Sequence, residues 1–354
     1  MIALRKTAAA FGAELVSLGP TQAPGPRELT LAVAAAGICG SDIHAYEWTA
    51  GYEFMTAAMP VTIGHEFSGI VEMVGEEVSD FRAGDRITCW PTKTCGKCHA
   101  CEAGRPQDCG NRSIIGLHCD GGFAERVTVP ASNCRRIPDG LDLEIAALTE
   151  PLSIAVNAVD VADVVPGDRT VVLGPGPIGL GIAWVAANRG ADVLLAGFND
   201  TVRLSLAREM GIPHLADLAE ISLVDAVAEA FGQPADRVIE ATGVAQSVAD
   251  GLAVLRSSGT LVTAGIHSSP LRLDLTRFVR EKKQIRAAHD TTSKALEEAI
   301  QLLAENSKAL SCLITHRRPL SQAIEAFELA RSRRAVKVLL LPGVLNDQIN
   351  GEKA

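Results

Sequence analysis

Apolar residues are spaced in two ways along this chain. Through residues 1–152 they fall in short runs broken by glycine- and proline-rich turns, as in LTLAVAAAGI at 29–38. This predicts a β-rich domain of short strands. From residue 153 the pattern changes. TVVLG, DVLLAG, DRVIEATG and GTLVTAGIH are apolar runs ended by small residues, which suits parallel strands buried on both faces. Helical stretches stand between them, among them GVAQSVADGLAVLRSSG, read as one amphipathic helix ending at its last glycine. Such alternation predicts a doubly wound α/β sheet over residues 153–289. Residues 290–354 include TSKALEEAIQLLAENSKAL and AIEAFELARSRRAVKVLLLP, which predict helices and a final strand.

Length and charge narrow the function. The chain has 354 residues, enough for two ordinary domains. A net charge of −9 argues against a nucleic-acid or anionic-membrane partner, since either favours a basic face. No run of about 18 apolar residues predicts a membrane span. The start, MIALRKTAAAFGAELVSLG, lacks the pattern of a secretion signal, so a cytoplasmic location is expected. In a reducing compartment the nine cysteines are not expected to form disulfides.

Four of those cysteines lie together in TKTCGKCHACEAGRPQDC. Cys95, Cys98, Cys101 and Cys109 have the spacing C-x2-C-x2-C-x7-C, and glycines and a proline mark the stretch as a loop. Four thiolates fill the coordination shell of zinc and leave no place for substrate, so the expected role is structural. An iron–sulfur cluster or unligated thiols are the other readings, although the bacterial cluster spacing has its fourth cysteine nearer and before a proline. A second set is scattered. Cys39 lies in GICGSDIH, His65 and Glu66 in GHEFSG, and Glu150 in LTEPLS. A thiolate, an imidazole and a carboxylate are ordinary zinc ligands, and three of them leave a fourth position open for chemistry. Taken singly, Cys39 reads equally as core, His65 as a structural histidine, Ser41 and Asp42 as a turn, and Glu150 as a cap.

The stretch from residue 166 to 197 reads turn, strand, glycine-rich turn, helix, strand. GPGPIG places Gly174, Gly176 and Gly179 at G-x-G-x-x-G spacing, with Pro177 and Ile178 between. The first glycine permits the tight turn, the second lets backbone approach a pyrophosphate, and the third allows close helix–strand packing. The position after DVLLAG, where an acid would bind the adenosine ribose, is Phe198. With no carboxylate there to repel a 2′-phosphate, and with Arg203 five residues on to pair with one, the reading leans to NADP(H) over NAD(H); the alternative is that Asp200, two residues late, swings in and Arg203 lies along the ribose face. Asn199, next to Phe198, is a further candidate contact. Thr242, Gly243, Gly265 and Ile266 end later strands and are expected to border the nicotinamide.

Taken in order, GICGSDIH, GHEFSGIVEMVGEEVSDFRAGDRI, the four-cysteine loop, DGGFAERVTVP, EPLSIAVNAV and GPGPIG resemble the zinc-dependent medium-chain dehydrogenases of the alcohol dehydrogenase superfamily. The resemblance covers essentially the whole chain and looks closest to the sorbitol (polyol) and threonine dehydrogenase branch. It implies a GroES-like catalytic domain over 1–152, a Rossmann domain over 153–289, and a return to the catalytic domain over 290–354. It implies two zinc ions, one structural and one catalytic, the latter held by Cys39 and His65 with Glu66 or Glu150. By the same resemblance Asp42 orients the histidine, Ser41 bonds the substrate oxygen and His44 relays its proton outward. The implied reaction moves hydride between a small secondary alcohol, polyol or sugar-like, and NAD(P). A threonine-type amino-alcohol dehydrogenase is the alternative, and a non-catalytic NADPH-binding member of the fold a weaker one. The family also implies a dimer or tetramer. Trp48, Tyr52, Phe54 and the turn at Leu117 and His118 are candidate pocket walls.

Overall fold

The computed structural model describes residues 1–267 and 269–343, and the end of the 290–354 segment lies outside the described residues. The chain forms two compact units, residues 1–150 with those from Leu296 onward, and residues 151–295. In the first unit a seven-stranded sheet carries, in order, Cys134–Arg136, Arg86–Cys89, Glu66–Val74, Glu28–Gly37, Lys337–Leu341 and Ile314–Pro319. Arg126–Pro130 also pairs with Glu28–Gly37. The ten-residue strand Glu28–Gly37 is almost wholly buried because its alanines, valine and leucines pack on both faces. Leu29, Leu31, Phe67, Ile87, Phe123 and Phe327 belong to one core cluster around it. The chain's last described strand is thus built into the sheet that begins at residue 28.

The second unit is a six-stranded parallel sheet in the order His214–Asp217, Asp192–Gly197, Arg169–Leu173, Ala235–Glu240, Leu255–Thr263, Gln284–Ala287. Numbered along the sequence this is 3-2-1-4-5-6, the order of a dinucleotide-binding doubly wound fold. Its apolar strands are buried as their runs predict; Val171, Val172, Leu195 and Val238 are each 0% exposed. One sequence expectation is corrected. The helix read as running to Gly259 spans Ala245–Val254, and Leu255–Thr263 is already strand. The cause is local pairing: Leu255 lies opposite Ala235 and Thr260 opposite Arg237, with a bulge between that absorbs the two serines. No helix among the described residues is long and apolar enough to cross a membrane.

Candidate active site

Strand Glu28–Gly37 sets the geometry. On one side Gly37 lies opposite Glu66, and on the other it lies opposite Leu339. The chain then leaves the sheet, and Cys39 precedes helix Gly40–Glu47. One strand end therefore delivers Cys39, and the start of its neighbour delivers His65 and Glu66. The ligand atoms of these three residues all lie within 4.8 Å of one another. This donor set suits zinc.

Electrostatics favour a cation here. His65 is buried, and its Nδ1 lies 3.5 Å from Asp42 Oδ1; neither atom has a hydrogen-bond partner among the described residues. Asp42 is anchored by accepting the Cys39 backbone N–H at 2.9 Å. Facing Nδ1, it leaves Nε2 as the nitrogen available to a metal. Burial opposes charge on this imidazole, but Asp42 and then Cys39 more than offset it, holding its pKa well above the ordinary value. The Asp42 carboxylate and Cys39 sulfur facing this buried imidazole favour positive charge there, so with the donor set Cys39, His65 and Glu66 the residues fit a divalent cation. Ser41 Oγ lies 3.2 Å from His65 Nε2, which puts a hydroxyl beside the metal-facing nitrogen. His44, one turn later on the same helix face, has its Nδ1 3.1 Å from Thr49 Oγ1.

The two carboxylates have different surroundings. Glu66 is 0% exposed, and both of its oxygens accept from Lys337 Nζ, at 2.7 and 2.5 Å. Lys337 also donates to the Ile38 carbonyl at 3.1 Å. A Cβ on Gly37 would collide with Glu66 Oε2 and press on Lys337, so the glycine makes room for the pair. Burial alone would lower the Lys337 pKa; Glu66 foremost, with Cys39 and Glu150, raises it instead. Glu150 begins helix Thr149–Val161 and is buried, but it is not part of the group within 4.8 Å. Sequence reasoning missed Lys337, although a lysine opening the apolar strand KVLLL is a signal: a charge so placed needs a buried partner.

The four-cysteine loop has independent geometry. It contains the short helix His99–Glu102 and a 3-10 turn, Pro106–Asp108. The sulfurs of Cys98 and Cys101 are 3.5 Å apart, those of Cys98 and Cys109 3.8 Å, and those of Cys109 and Cys95 3.6 Å. Four ligands about 2.3 Å from one tetrahedral ion would be about 3.8 Å apart, so this is the spacing of a single-ion site. A backbone hydrogen bond from Lys97, then a side-chain one from the Cys109 sulfur, draws the Cys95 thiol down to about 6. Burial and the neighbouring sulfurs push Cys101 up to about 11. Metal binding needs all four as thiolates, and backbone hydrogen bonds favour that form at Cys95 and Cys98.

The cofactor candidates gather at the carboxyl ends of the parallel strands. Gly174 follows Arg169–Leu173 with φ of +103°, and a Cβ on Gly179 would collide with the Gly174 carbonyl. Gly176, which caps helix Pro177–Asn188, would meet nothing within 4 Å. Backbone is therefore open to a phosphate where helix amides converge. Gly243 and Gly265 lie against each other; a Cβ on Gly243 would strike the Ile266 carbonyl. This corner is tied down by Glu240, a buried carboxylate not singled out from sequence. It accepts from Thr242 N at 2.5 Å and Gly243 N at 2.8 Å, and lies 2.9 Å from His267 Nε2.

At the other end Phe198 is 72% exposed. Arg203 lies back on Asp200, with Nη1 3.4 Å from Oδ2. Asn199, in a left-handed conformation at φ 51°, donates its N–H to Asp217 Oδ1 at 2.7 Å. An acid from the neighbouring strand thus stands beside the corner where the β-strand's own acid is missing. Bonds from the Ala219 and Asn199 amides hold that carboxyl below its ordinary range.

Comparison with known proteins agrees with this geometry. Residues 25–139 match the family model of the alcohol dehydrogenase GroES-like domain, and residues 143–340 that of the glucose dehydrogenase C-terminus. A sorbitol dehydrogenase of Halalkalibacterium halodurans is 36% identical over 97% of this chain and 99% of its own length. An L-threonine 3-dehydrogenase of Bacillus subtilis is 36% identical with the same coverage. Among solved structures, a protein of Sinorhizobium meliloti described as a zinc-binding dehydrogenase bound to NADP superposes with a TM-score of 0.87. It is 32% identical, with 96% of this chain and 99% of that one covered.

Proposed function

Because this chain belongs to the zinc-dependent medium-chain dehydrogenases of the alcohol dehydrogenase superfamily, we propose that it oxidises a secondary alcohol of the polyol or sugar-derived class with NAD(P), by the following division of labour. Cys39 and His65, with Glu66 or Glu150, hold the catalytic zinc; Cys95, Cys98, Cys101 and Cys109 hold the structural one. When bound, the zinc supplies polarisation of the alcohol oxygen and NAD(P) supplies the hydride acceptor. Ser41 takes the hydroxyl proton, since its Oγ stands beside the metal-facing nitrogen of His65. His44 receives that proton and, paired with Thr49, passes it outward. Asp42 keeps the His65 tautomer fixed. The observation that carries this reading is the convergence of Cys39, His65 and Glu66 ligand atoms within 4.8 Å, next to a serine, on a chain that also carries a phosphate-ready glycine turn.

NADP(H) is favoured over NAD(H) because Phe198 replaces the ribose-binding acid; to meet a 2′-phosphate, Arg203 must leave Asp200 and outweigh the Asp217 carboxylate that stands beside the same corner. The thiolate-rich loop supports a reducing, cytoplasmic setting. The test is a dehydrogenase assay over polyols, sugar acids and amino alcohols with both cofactors. Polyol oxidation with NADP supports the full reading. Turnover of L-threonine alone moves the enzyme to the amino-alcohol class. Dinucleotide binding without turnover of any alcohol makes it a binding protein.

Self-association is proposed as well, through the second unit. Gln284–Ala287 is the edge of its sheet, and Ile285, Leu275 and Val279 near it are 38%, 65% and 69% exposed. An edge with no partner strand among the described residues, with exposed apolar side chains close by in sequence, is a template for another copy. We expect dimers or tetramers by sedimentation at micromolar concentration, and a shift to monomer in the double variant Val279→Glu, Ile285→Lys. A wild-type monomer would rule this out.

A further inference from the structure

Lys337 is buried against a carboxylate, but a second lysine of the first unit is buried without one. Lys6 ends strand Ile2–Lys6, is 0% exposed, and has no ion pair among the described residues. Its Nζ donates instead to three backbone carbonyls, those of Ala10, Gly12 at 2.9 Å and Tyr46 at 3.3 Å. It also lies 5.3 Å from the centroid of the Trp48 ring. An ammonium buried without a counter-charge is costly. Here three oxygens use all three of its donors, and the aromatic face and the negative end of a helix add attraction.

That helix is Gly40–Glu47, which carries Ser41 and His44. The last carbonyls of a helix find no partner within it. The His44 carbonyl accepts from Thr49 N at 3.1 Å and that of Ala45 from Trp48 N at 3.3 Å. The Tyr46 carbonyl is met from outside, by Gly12 N at 2.8 Å and by Lys6. The turn that follows is left-handed at Trp48, with φ 58°, and leads to Thr49, whose Oγ1 holds His44 Nδ1. Lys6 therefore grips this turn twice, at the Tyr46 carbonyl and at the Trp48 ring. A shift of the turn carries the partner of His44 with it.

The charged groups around Lys6 are engaged elsewhere. Arg5 bonds Asp120, and Glu14 accepts from Thr7. Glu47 and Glu328 both pair with Arg331, and Glu328 also accepts from the Tyr46 hydroxyl. With no acid facing it, burial lowers the Lys6 pKa to about 8.

We propose that Lys6 is a positioning residue: its ammonium fixes the end of the helix that carries Ser41 and His44, so that Thr49 keeps His44 in line for the proton relay. This rests on the dehydrogenase reading above. Losing its proton relieves the cost of burial but leaves two N–H donors for three carbonyls. One contact therefore fails as the pH rises through about 8.

The test compares the zinc-loaded wild type with Lys6→Met, which keeps the length of the side chain without the charge. At about pH 6 the variant should show a kcat about tenfold lower on an accepted polyol, with KM within about twofold, because the lysine touches no substrate. At about pH 9.5 the ratio of wild type to variant should shrink to about twofold, since wild type has then lost the same charge. A purely structural role gives a ratio that does not change with pH. Hydrogen exchange at neutral pH reads the helix end without turnover. It should quicken about fivefold or more at residues 44–49 of the variant and stay unchanged in the second unit. Trp48 emission in wild type should show a step at about pH 8 that Trp48→Phe lacks, a measurement that stands even if Lys6→Met fails to fold. A pH-independent ratio, unchanged exchange at residues 44–49, or no emission step overturns the proposal. If wild type oxidises no alcohol, the dehydrogenase reading fails, and exchange and emission still decide whether Lys6 holds the helix.

Discussion

Replacing Cys39 by serine is expected to lower turnover of any accepted alcohol by at least about a thousandfold, which is about 4 kcal/mol of transition-state stabilisation. Zinc per chain should fall from two to one, with the fold retained. The reasoning is local. In the proposed site Cys39 supplies the soft ligand of a group whose other members, His65 and Glu66, come from the start of a neighbouring strand. Removing the thiolate leaves an imidazole and a carboxylate already engaged by Lys337, too weak a set to retain the ion. Cys95→Ser should give the reverse pattern: loss of the other zinc and a lower melting temperature, because the helix and turn of that loop are only four and three residues long and the ion would cross-link them. Metal analysis on both variants separates the sites. A single zinc that survives Cys39→Ser contradicts the two-site assignment.

Lys337→Met should destabilise the fold by about 3–5 kcal/mol, the usual cost of leaving one member of a buried ion pair alone. Glu66 is 0% exposed and Lys337 2%, so neither charge has water to fall back on. Adding Glu66→Gln to the lysine variant removes the stranded charge and should recover most of the loss. Urea denaturation of the two variants and wild type measures this. A change below 1 kcal/mol for Lys337→Met would mean that the carboxylate finds another counter-charge or takes up a proton.

How much of this was legible in the sequence depended on range. The glycines of GPGPIG state their roles within six residues, and the structure gives each a local cause: a positive φ at Gly174, open space at Gly176, a tight contact at Gly179. The four cysteines likewise carry their geometry in their spacing. Cys39, His65 and Glu66 were nameable because family motifs mark them, but their meeting depends on strand register, with Gly37 set opposite Glu66. Lys337 was not legible. Its partner lies 271 positions away, and no periodicity reports pairing between the first and last strands of a sheet. The early end of helix Ala245–Val254 escaped for a related reason, since pairing of Leu255 with Ala235 overrode the local stop signal at Gly259.

The pairing of the 28–37 and 337–341 strands has a consequence for synthesis. A chain emerging from the ribosome makes Glu66 early and the ammonium that neutralises it almost last. During the interval residues 151–295 appear as one uninterrupted stretch and contain every strand of their own sheet, so that unit can fold first. The metal group must wait, because its carboxylate cannot enter the interior without its counter-charge. Stalled nascent chains ending near residue 330 should therefore protect the dinucleotide-binding unit from protease while leaving residues 28–74 open to cleavage. Early protection of both segments would show that the sheet closes without its last strand.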